Sequence, residues 1–207
     1  LLLATLGNRP TGSTPVFIVY PIEKANESKG KEDILQKVQK SKNSPAKELL
    51  DISLDAEEYT VTFVANGQTV TRKALFDWSK EDNERIRYYS GTAIYKTTFP
   101  WKYKEQKDRQ VYLHLGTVYN LATVRVNGID CGTVWTAPYR ADITAALKKG
   151  TNELEIEVTN TWANALKGTD EGKAPFEGIW TNAKYRKQEN TLLPGGLLGP
   201  LYLEQSN

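Results

Sequence analysis

Several segments of this chain alternate between apolar and polar side chains. The apolar positions are Tyr59, Val61 and Phe63; Val111, Leu113 and Leu115; Val124 and Val126; and Leu154, Ile156 and Val158. Because successive side chains of a strand point to opposite faces, this period of two predicts β-strands with one buried face. We expect all of these apolar positions except Tyr59 to face the core. A further long strand is predicted over Tyr88 to Phe99.

Turn residues separate these predicted strands. Asn127-Gly128 suits the two-residue hairpin turn in which both residues have positive φ, and Asn66-Gly67 offers a second hairpin turn. Asp142 can cap a short helical turn over Ile143 to Leu147. Short strands joined by such turns predict an all-β fold, namely an antiparallel β-sandwich of jelly-roll type over residues 53 to 205.

The chain divides into three zones. Residues 51 to 207 form the predicted jelly-roll sandwich, and residues 23 to 50 are predicted to be a charged linker or helix. In residues 1 to 22, the segment Val16 to Tyr20 is predicted to be a strand retained from a preceding domain. The sequence starts at Leu1 and contains no methionine, so we expect it to be a fragment of a longer protein.

Composition narrows the possible partners and cofactors. A formal net charge of +2 does not favour nucleic acid or an anionic membrane surface as a partner, and no segment is apolar over the length of a membrane span. Cys131 is the single cysteine and His114 the single histidine, so neither a zinc site nor a catalytic triad is predicted. We expect no cofactor. A structural calcium ion is compatible with the sequence, although no Asp/Asn cluster requires one.

Several motifs in the second half of the chain resemble one family of domains. They are the hairpin Val126 to Gly128, the segments Tyr88 to Ala93, Trp135 to Tyr139, Asp142 to Thr144 and Asn160 to Asn164, and the segment Leu192 to Pro200, which reads LLPGGLLGP. Over residues 85 to 204, the chain resembles the galactose-binding-like jelly-roll domain of glycoside hydrolases, best known from family 2. It is more similar to the C-terminal sandwich of the family 106 α-L-rhamnosidase-like proteins.

This resemblance implies a non-catalytic accessory domain. The catalytic domain would lie N-terminal to it in the same parent chain, and the parent would act on plant- or host-type polysaccharide. We expect the parent protein to be exported to the periplasm or to the cell exterior. The alternative is a stand-alone carbohydrate-binding or adhesion module without an enzymatic partner. In either case, the expected partner is an oligo- or polysaccharide.

Three predicted loops combine aromatic and polar side chains, which suits the apolar faces and hydroxyl groups of sugars. The candidate carbohydrate-binding residues are Trp135, Tyr139, Arg140, Asn160, Trp162 and Trp180. Each of these tryptophans has an alternative role, which is to plug the end of the core. Trp78 and Trp101 are assigned to the core outright.

The acidic residues do not form an evident glycosidase pair. Glu153, Glu155 and Glu157 alternate on the solvent face of a predicted strand, whereas Asp170, Glu171 and Glu177 lie in a predicted loop beside Lys167 and Lys173. A neighbouring cation lowers the pKa of a carboxyl group, which is the wrong direction for a general acid. We therefore expect no catalytic residue in this chain and no glycoside hydrolysis by it alone.

Overall fold

A computed structural model describes residues 49–54, 56–102, 109–182 and 191–206. Two packed sheets form the framework of this part of the chain. The strands are β1 (Leu49–Ser53), β2 (Tyr59–Phe63), β3 (Thr69–Arg72), β4 (Thr92–Trp101), β5 (Gln110–His114), β6 (Thr117–Tyr119), β7 (Leu121–Val126), β8 (Ile129–Val134), β9 (Arg140–Asp142), β10 (Gly150–Thr159), β11 (Gly196–Gly199) and β12 (Tyr202–Ser206). The helices are α1 (Glu84–Arg87) and α2 (Ala163–Asp170), and the 3-10 turns are Trp78–Lys80 and Thr144–Ala146.

The strand order confirms the predicted antiparallel sandwich. One sheet has the order β3-β2-β4-β10-β7-β8, and the facing sheet has the order β1-β12-β5-β9. Strands β11 and β6 form a separate short ladder. All the ladders between named strands are antiparallel.

The core lies between the two sheets, and the predicted register is confirmed. None of the nine positions predicted to be inward is more than 2% exposed: Val61, Phe63, Leu113, Leu115, Val124, Val126, Leu154, Ile156 and Val158. Glu153, Glu155 and Glu157 lie on the opposite face of β10, as predicted.

Charged side chains on this outer face of β10 pair with one another. Arg125 bonds Glu155 at 3.1 Å and also bonds Glu157, and Lys96 reaches Glu155 at 3.1 Å. The hydrogen bond from Lys96 is the main cause that lowers the pKa of Glu155. The outer face is therefore a solvated row of paired charges.

The two Asn-Gly pairs make different turns. Asn127 and Gly128 have φ of 52° and 79°, and Val126 pairs with Ile129 across the predicted two-residue hairpin. The Asn66-Gly67 turn is longer, because the Phe63 N–H donates to Gln68 O and four residues lie between them. Asp142 accepts hydrogen bonds from the N–H and the hydroxyl of Thr144, but the 3-10 turn spans only Thr144–Ala146 and its N-cap residue is Ile143, not Asp142 as predicted.

Two predicted segments differ from the observed elements. The strand predicted over Tyr88 to Phe99 is wrong at its start, because α1 ends at Arg87 and β4 begins at Thr92. Asp170 ends helix α2 and does not lie in a loop. Strand β1 begins at Leu49, before the predicted domain boundary at 51, and the predictions for residues 1–48 lie outside the described residues.

The LLPGGLLGP segment serves packing. The indole Nε1 of Trp78 donates to Tyr95 OH at 2.7 Å, and the Leu197 N–H donates to the same hydroxyl at 3.2 Å. Gly196 lies so close to the Trp78 ring that an added Cβ would overlap it. Trp78 is 1% exposed, which confirms its predicted place in the core.

Candidate functional site

The loops that carry the predicted site emerge at one end of the six-stranded sheet, here called the loop end. Strand β2 ends at Phe63 and β10 at Thr159, while β4 begins at Thr92. Thr159 pairs with Thr92 on one side and with Leu121, the first residue of β7, on the other. Val134, the last residue of β8, pairs with the second residue of β7. The loops after β2, β8 and β10 therefore leave the sandwich at this end.

Three of the five tryptophans are exposed. Trp135 is 72%, Trp162 57% and Trp180 80% exposed, so the alternative that they plug the core is wrong. Trp101 is 6% exposed, which confirms its assignment to the core. Other large apolar side chains are exposed nearby: Val64 follows β2, Leu121 begins β7, and Leu193 is bonded to Asn164 of α2. The loop end thus carries a concentration of exposed apolar surface.

An open groove of about 690 Å³ lies at the loop end, and Phe176 is one of the residues that line it. We call it the Phe176 groove; its other lining residues include Asn66, Arg85, Thr169, Glu177 and Ile179. The Phe176 ring makes edge contacts with Tyr89 at 6.0 Å and with Trp162 at 6.1 Å between ring centroids. Trp180 directly follows Ile179 in the chain. Trp162 therefore packs beside the groove through Phe176, and Trp180 directly follows a lining residue, although neither tryptophan lines the groove itself.

Hydrogen bonds hold the walls of the groove together. Asn66 Nδ2 donates to Arg85 O at 2.8 Å and to Pro175 O at 3.4 Å, which ties the β2–β3 turn to both neighbouring segments. On the same side, the Tyr88 hydroxyl donates to Glu171 Oε2 at 2.7 Å. That hydrogen bond is the main cause that raises the pKa of Tyr88. These contacts fix the backbone around the groove, so its shape exists before any ligand arrives.

The polar groups that face this groove suit binding better than hydrolysis. Glu177 is the only carboxylate residue among the described residues that line it. Glycoside hydrolysis usually needs two carboxyl groups at a defined separation. An aromatic wall with single donors and acceptors is the arrangement that stacks a sugar ring and orients its hydroxyl groups.

The structure gives the Asn160 side chain another role. Its Oδ1 accepts from the Gly91 N–H at 2.8 Å, and its Nδ2 donates to Tyr89 O at 3.0 Å. Both partners are main-chain groups of the segment between α1 and β4. Asn160 thus joins the end of β10 to that segment.

The remaining candidates lie apart from the Phe176 groove. Trp135 follows the edge strand β8. Tyr139 is half-buried against the core. Arg140 lies on the four-stranded sheet, where its guanidinium stacks over the Tyr112 ring at 4.5 Å and reaches Glu204 at 3.5 Å.

His114 belongs to the same cluster as Arg140. Its Nε2 lies 2.6 Å from Glu204 Oε2, and its ring stacks on Tyr202 with 4.4 Å between centroids. His114 and Tyr202 are directly opposite each other in the β5–β12 ladder. His114 therefore serves as a cross-strand contact between β5 and β12.

A second groove, of about 510 Å³, lies on the outer face of the six-stranded sheet. Its lining includes Lys96, Arg125, Glu153 and Glu155, and none of its described lining residues is aromatic. Lys96 and Arg125 hold Glu155 and lower its pKa, and the described lining offers no aromatic platform on which a sugar could stack.

Neither a metal-binding cluster nor a membrane-spanning helix is found in the described part of the chain. No group of three or more His, Cys, Asp or Glu side chains there is placed to hold a metal ion. No helix in the described ranges is long and apolar enough to cross a bilayer.

Sequence comparison places this fold among glycoside hydrolase domains. Residues 69–192 match the family model described as glycosyl hydrolase 2 galactose-binding domain-like. A "Putative beta-glucuronidase" of Formosa agariphila is 36% identical over a region that covers 70% of this chain and 15% of that protein. The chain therefore spans less than a sixth of the curated relative that it matches.

Solved structures agree with this placement. A rhamnosidase from Novosphingobium sp. PP1Y superposes with a TM-score of 0.70 and 34% identity, over 79% of this chain and 16% of the rhamnosidase. An FMN-binding beta-glucuronidase from Facaelibacterium prausnitzii L2-6 superposes with a TM-score of 0.52 and 25% identity, over 77% of this chain and 23% of that one.

These matches confirm the predicted resemblance to family 2 and to rhamnosidases. In each relative, the matching region is a small part of a much longer protein. This chain is an accessory β-sandwich domain of the kind that glycoside hydrolases carry, and it belongs to the glycosyl hydrolase 2 galactose-binding domain-like family.

Proposed function

We propose that this domain contacts carbohydrate through the Phe176 groove. We also propose that its parent protein is a glycoside hydrolase. The observation that carries the proposal is the exposure of two tryptophans at the groove: Trp162 packs against the lining residue Phe176, and Trp180 follows the lining residue Ile179. Exposed indole is unfavourable in water unless something covers it, and concentrated apolar surface marks binding sites. The apolar C–H face of a sugar ring is a suitable cover.

The parent protein is proposed to carry an N-terminal catalytic domain and to act on plant- or host-type polysaccharide. Support comes from the relatives, which are described as a rhamnosidase and as beta-glucuronidases. We also propose that the parent is exported to the periplasm or the cell exterior, where such polysaccharides occur. The stand-alone adhesion module is less well supported, because each of these relatives is a much longer protein.

Replacing Trp180 by alanine is expected to weaken glycan binding about fivefold, since stacking on an aromatic ring contributes on the order of 1 kcal/mol. Wild-type affinity should lie between about millimolar and micromolar, because an open groove buries little ligand area. Calorimetric titration with rhamnose- and galactose-containing oligosaccharides measures both quantities.

Two matched variants locate the site. Trp180→Phe keeps an aromatic ring and should retain part of the affinity. Trp135→Ala removes an equally exposed indole that lies outside the groove, and it should change binding less than Trp180→Ala. If Trp180→Ala binds like wild type, or if no glycan binds at all, carbohydrate contact at this groove is ruled out.

The isolated chain is expected to leave aryl α-L-rhamnoside and aryl β-glucuronide intact. Its Phe176 groove has a single described carboxylate residue, Glu177, and the carboxylates of the outer-face groove include Glu155, which is paired with cations. Release of the aryl group, followed by absorbance, is the measurement. Turnover above the background rate that disappears in Glu177→Gln would show instead that the domain is itself a hydrolase.

A further inference from the structure

Arg85 differs from the nearest arginines on either side of it in the sequence, Arg72 and Arg87, because no described residue holds its guanidinium. Arg87, two residues later, donates to Glu81 O at 2.6 Å and lies 3.7 Å from Asp82. Arg72 pairs with Glu81 at 2.8 Å. No ion pair or side-chain hydrogen bond joins the Arg85 guanidinium to another described residue. Arg85 lines the Phe176 groove.

The backbone of this arginine is fixed, although none of the described residues holds its side chain. Asn83 caps α1 by accepting from the Arg85 N–H at 3.0 Å, and the Arg85 carbonyl accepts from Asn66 at 2.8 Å. The backbone at Arg85 is therefore held by both of its polar groups. Because the main chain at Arg85 is already ordered, ligand binding does not have to restrict it further. The guanidinium can therefore donate hydrogen bonds to a ligand at a lower entropic cost.

We propose that the Phe176 groove selects acidic saccharides, with Arg85 pairing to an anionic substituent of a sugar whose ring lies against the aromatic wall. This inference rests on the proposed carbohydrate contact and adds the chemical class of the ligand. A planar guanidinium offers paired N–H donors that match a carboxylate or a sulfate ester, and such charge-assisted bonds are about twice as strong as neutral ones.

The other charge in the groove sets the orientation of the ligand. Glu177 repels an anionic group but accepts hydrogen bonds from hydroxyl groups. A uronic acid or sulfated sugar would therefore place its anion toward Arg85 and its hydroxyl groups toward Glu177. A neutral sugar would use the aromatic wall and Glu177 alone, and so would bind more weakly.

The test compares matched ligands on the chain as it stands. An oligosaccharide of uronic acids, its carboxyl-reduced counterpart and a sulfated neutral oligosaccharide are titrated calorimetrically against wild type. Wild type should bind an acidic ligand about tenfold more tightly than the carboxyl-reduced one. If the uronic acids bind more tightly than the sulfated sugar, a carboxylate is the recognised group. If the sulfated sugar binds more tightly, the recognised group is a sulfate ester.

Substitutions then assign the preference to one residue. Arg85→Gln should remove the preference for acidic ligands while leaving the affinity for the carboxyl-reduced sugar unchanged, and Arg85→Lys should keep part of it. Arg109→Gln makes the same change in net charge at the start of β5, at the other end of the sandwich, and should behave like wild type.

The two proposals can fail separately. Equal binding of acidic and carboxyl-reduced sugars, with binding still dependent on Trp180, overturns the selection of acidic saccharides alone. A preference for acidic ligands that persists in Arg85→Gln also overturns it. Absence of binding by every glycan overturns the carbohydrate contact as well.

Discussion

Trp78→Ala is expected to unfold the domain at a much lower urea concentration than wild type. Trp78 is 1% exposed and makes edge contacts with Phe63 and Tyr89 at 5.2 and 5.7 Å between ring centroids. Its indole N–H also donates to Tyr95 OH, which in turn accepts from the Leu197 N–H. One side chain therefore connects β2, β4 and the LLPGGLLGP segment.

The expected cost is about 3–5 kcal/mol, the range for truncating a buried Phe or Trp to alanine. Domains of this kind are stable by only about 5–15 kcal/mol, so this loss is a large part of the total. Urea unfolding followed by circular dichroism measures it. Trp78→Phe keeps most of the ring and should cost less, since it loses chiefly the indole hydrogen bond.

Trp180→Ala is the matched control for this prediction. The Trp180 side chain is 80% exposed, so its removal should change the free energy of unfolding by less than about 0.5 kcal/mol. Equal destabilisation by Trp78→Ala and Trp180→Ala would show that Trp180 is packed and would also weaken its proposed role in binding.

The strands could be predicted from the sequence because the evidence for them is local. In β10, Leu154, Ile156 and Val158 face the core because the opposite parity is occupied by glutamates, and both facts are visible along a single strand. The Asn127-Gly128 turn is equally local, since two residues with positive φ suffice to define it.

The fate of the tryptophans could not be predicted in this way. Trp101 lies within β4, an inner strand of the six-stranded sheet, where it shares the inward parity of Phe99 and is buried. Trp135 follows β8, which is an edge strand, so it has sheet on one side only and remains exposed. Both follow apolar residues in the sequence, and the strand order separates them.

The groove depends on contacts between distant parts of the chain. Arg85 and Phe176 meet because the β2–β3 turn and the segment after α2 are joined by Asn66, which bonds to Arg85 O and Pro175 O. Nothing near Arg85 in the sequence marks it as a groove residue. Asn160 shows the converse, since a side chain that suits sugar binding is used by the backbone of Tyr89 and Gly91.

Gly116→Ala is expected to prevent the domain from folding or to destabilise it by about 3 kcal/mol or more. Gly116 has φ of 62°, and an added Cβ would overlap the carbonyl group of Gly199. A backbone neighbour cannot rotate away as a side chain can, so β11 would have to shift, and overpacking of this kind typically costs about 1–3 kcal/mol. The left-handed backbone adds about 1–2 kcal/mol for any residue with a Cβ.

Gly67→Ala separates these two causes. Gly67 has a similar φ of 68°, but an added Cβ there would meet nothing within 4 Å. This variant should therefore lose only about 1–2 kcal/mol, the conformational cost alone. The difference between the two urea midpoints measures the steric cost of moving Gly199 away from Gly116. Gly199 belongs to β11, whose Leu197 bonds to Tyr95. Equal midpoints for the two variants would mean that β11 moves aside without cost, so the close contact between Gly116 and Gly199 would not contribute to stability.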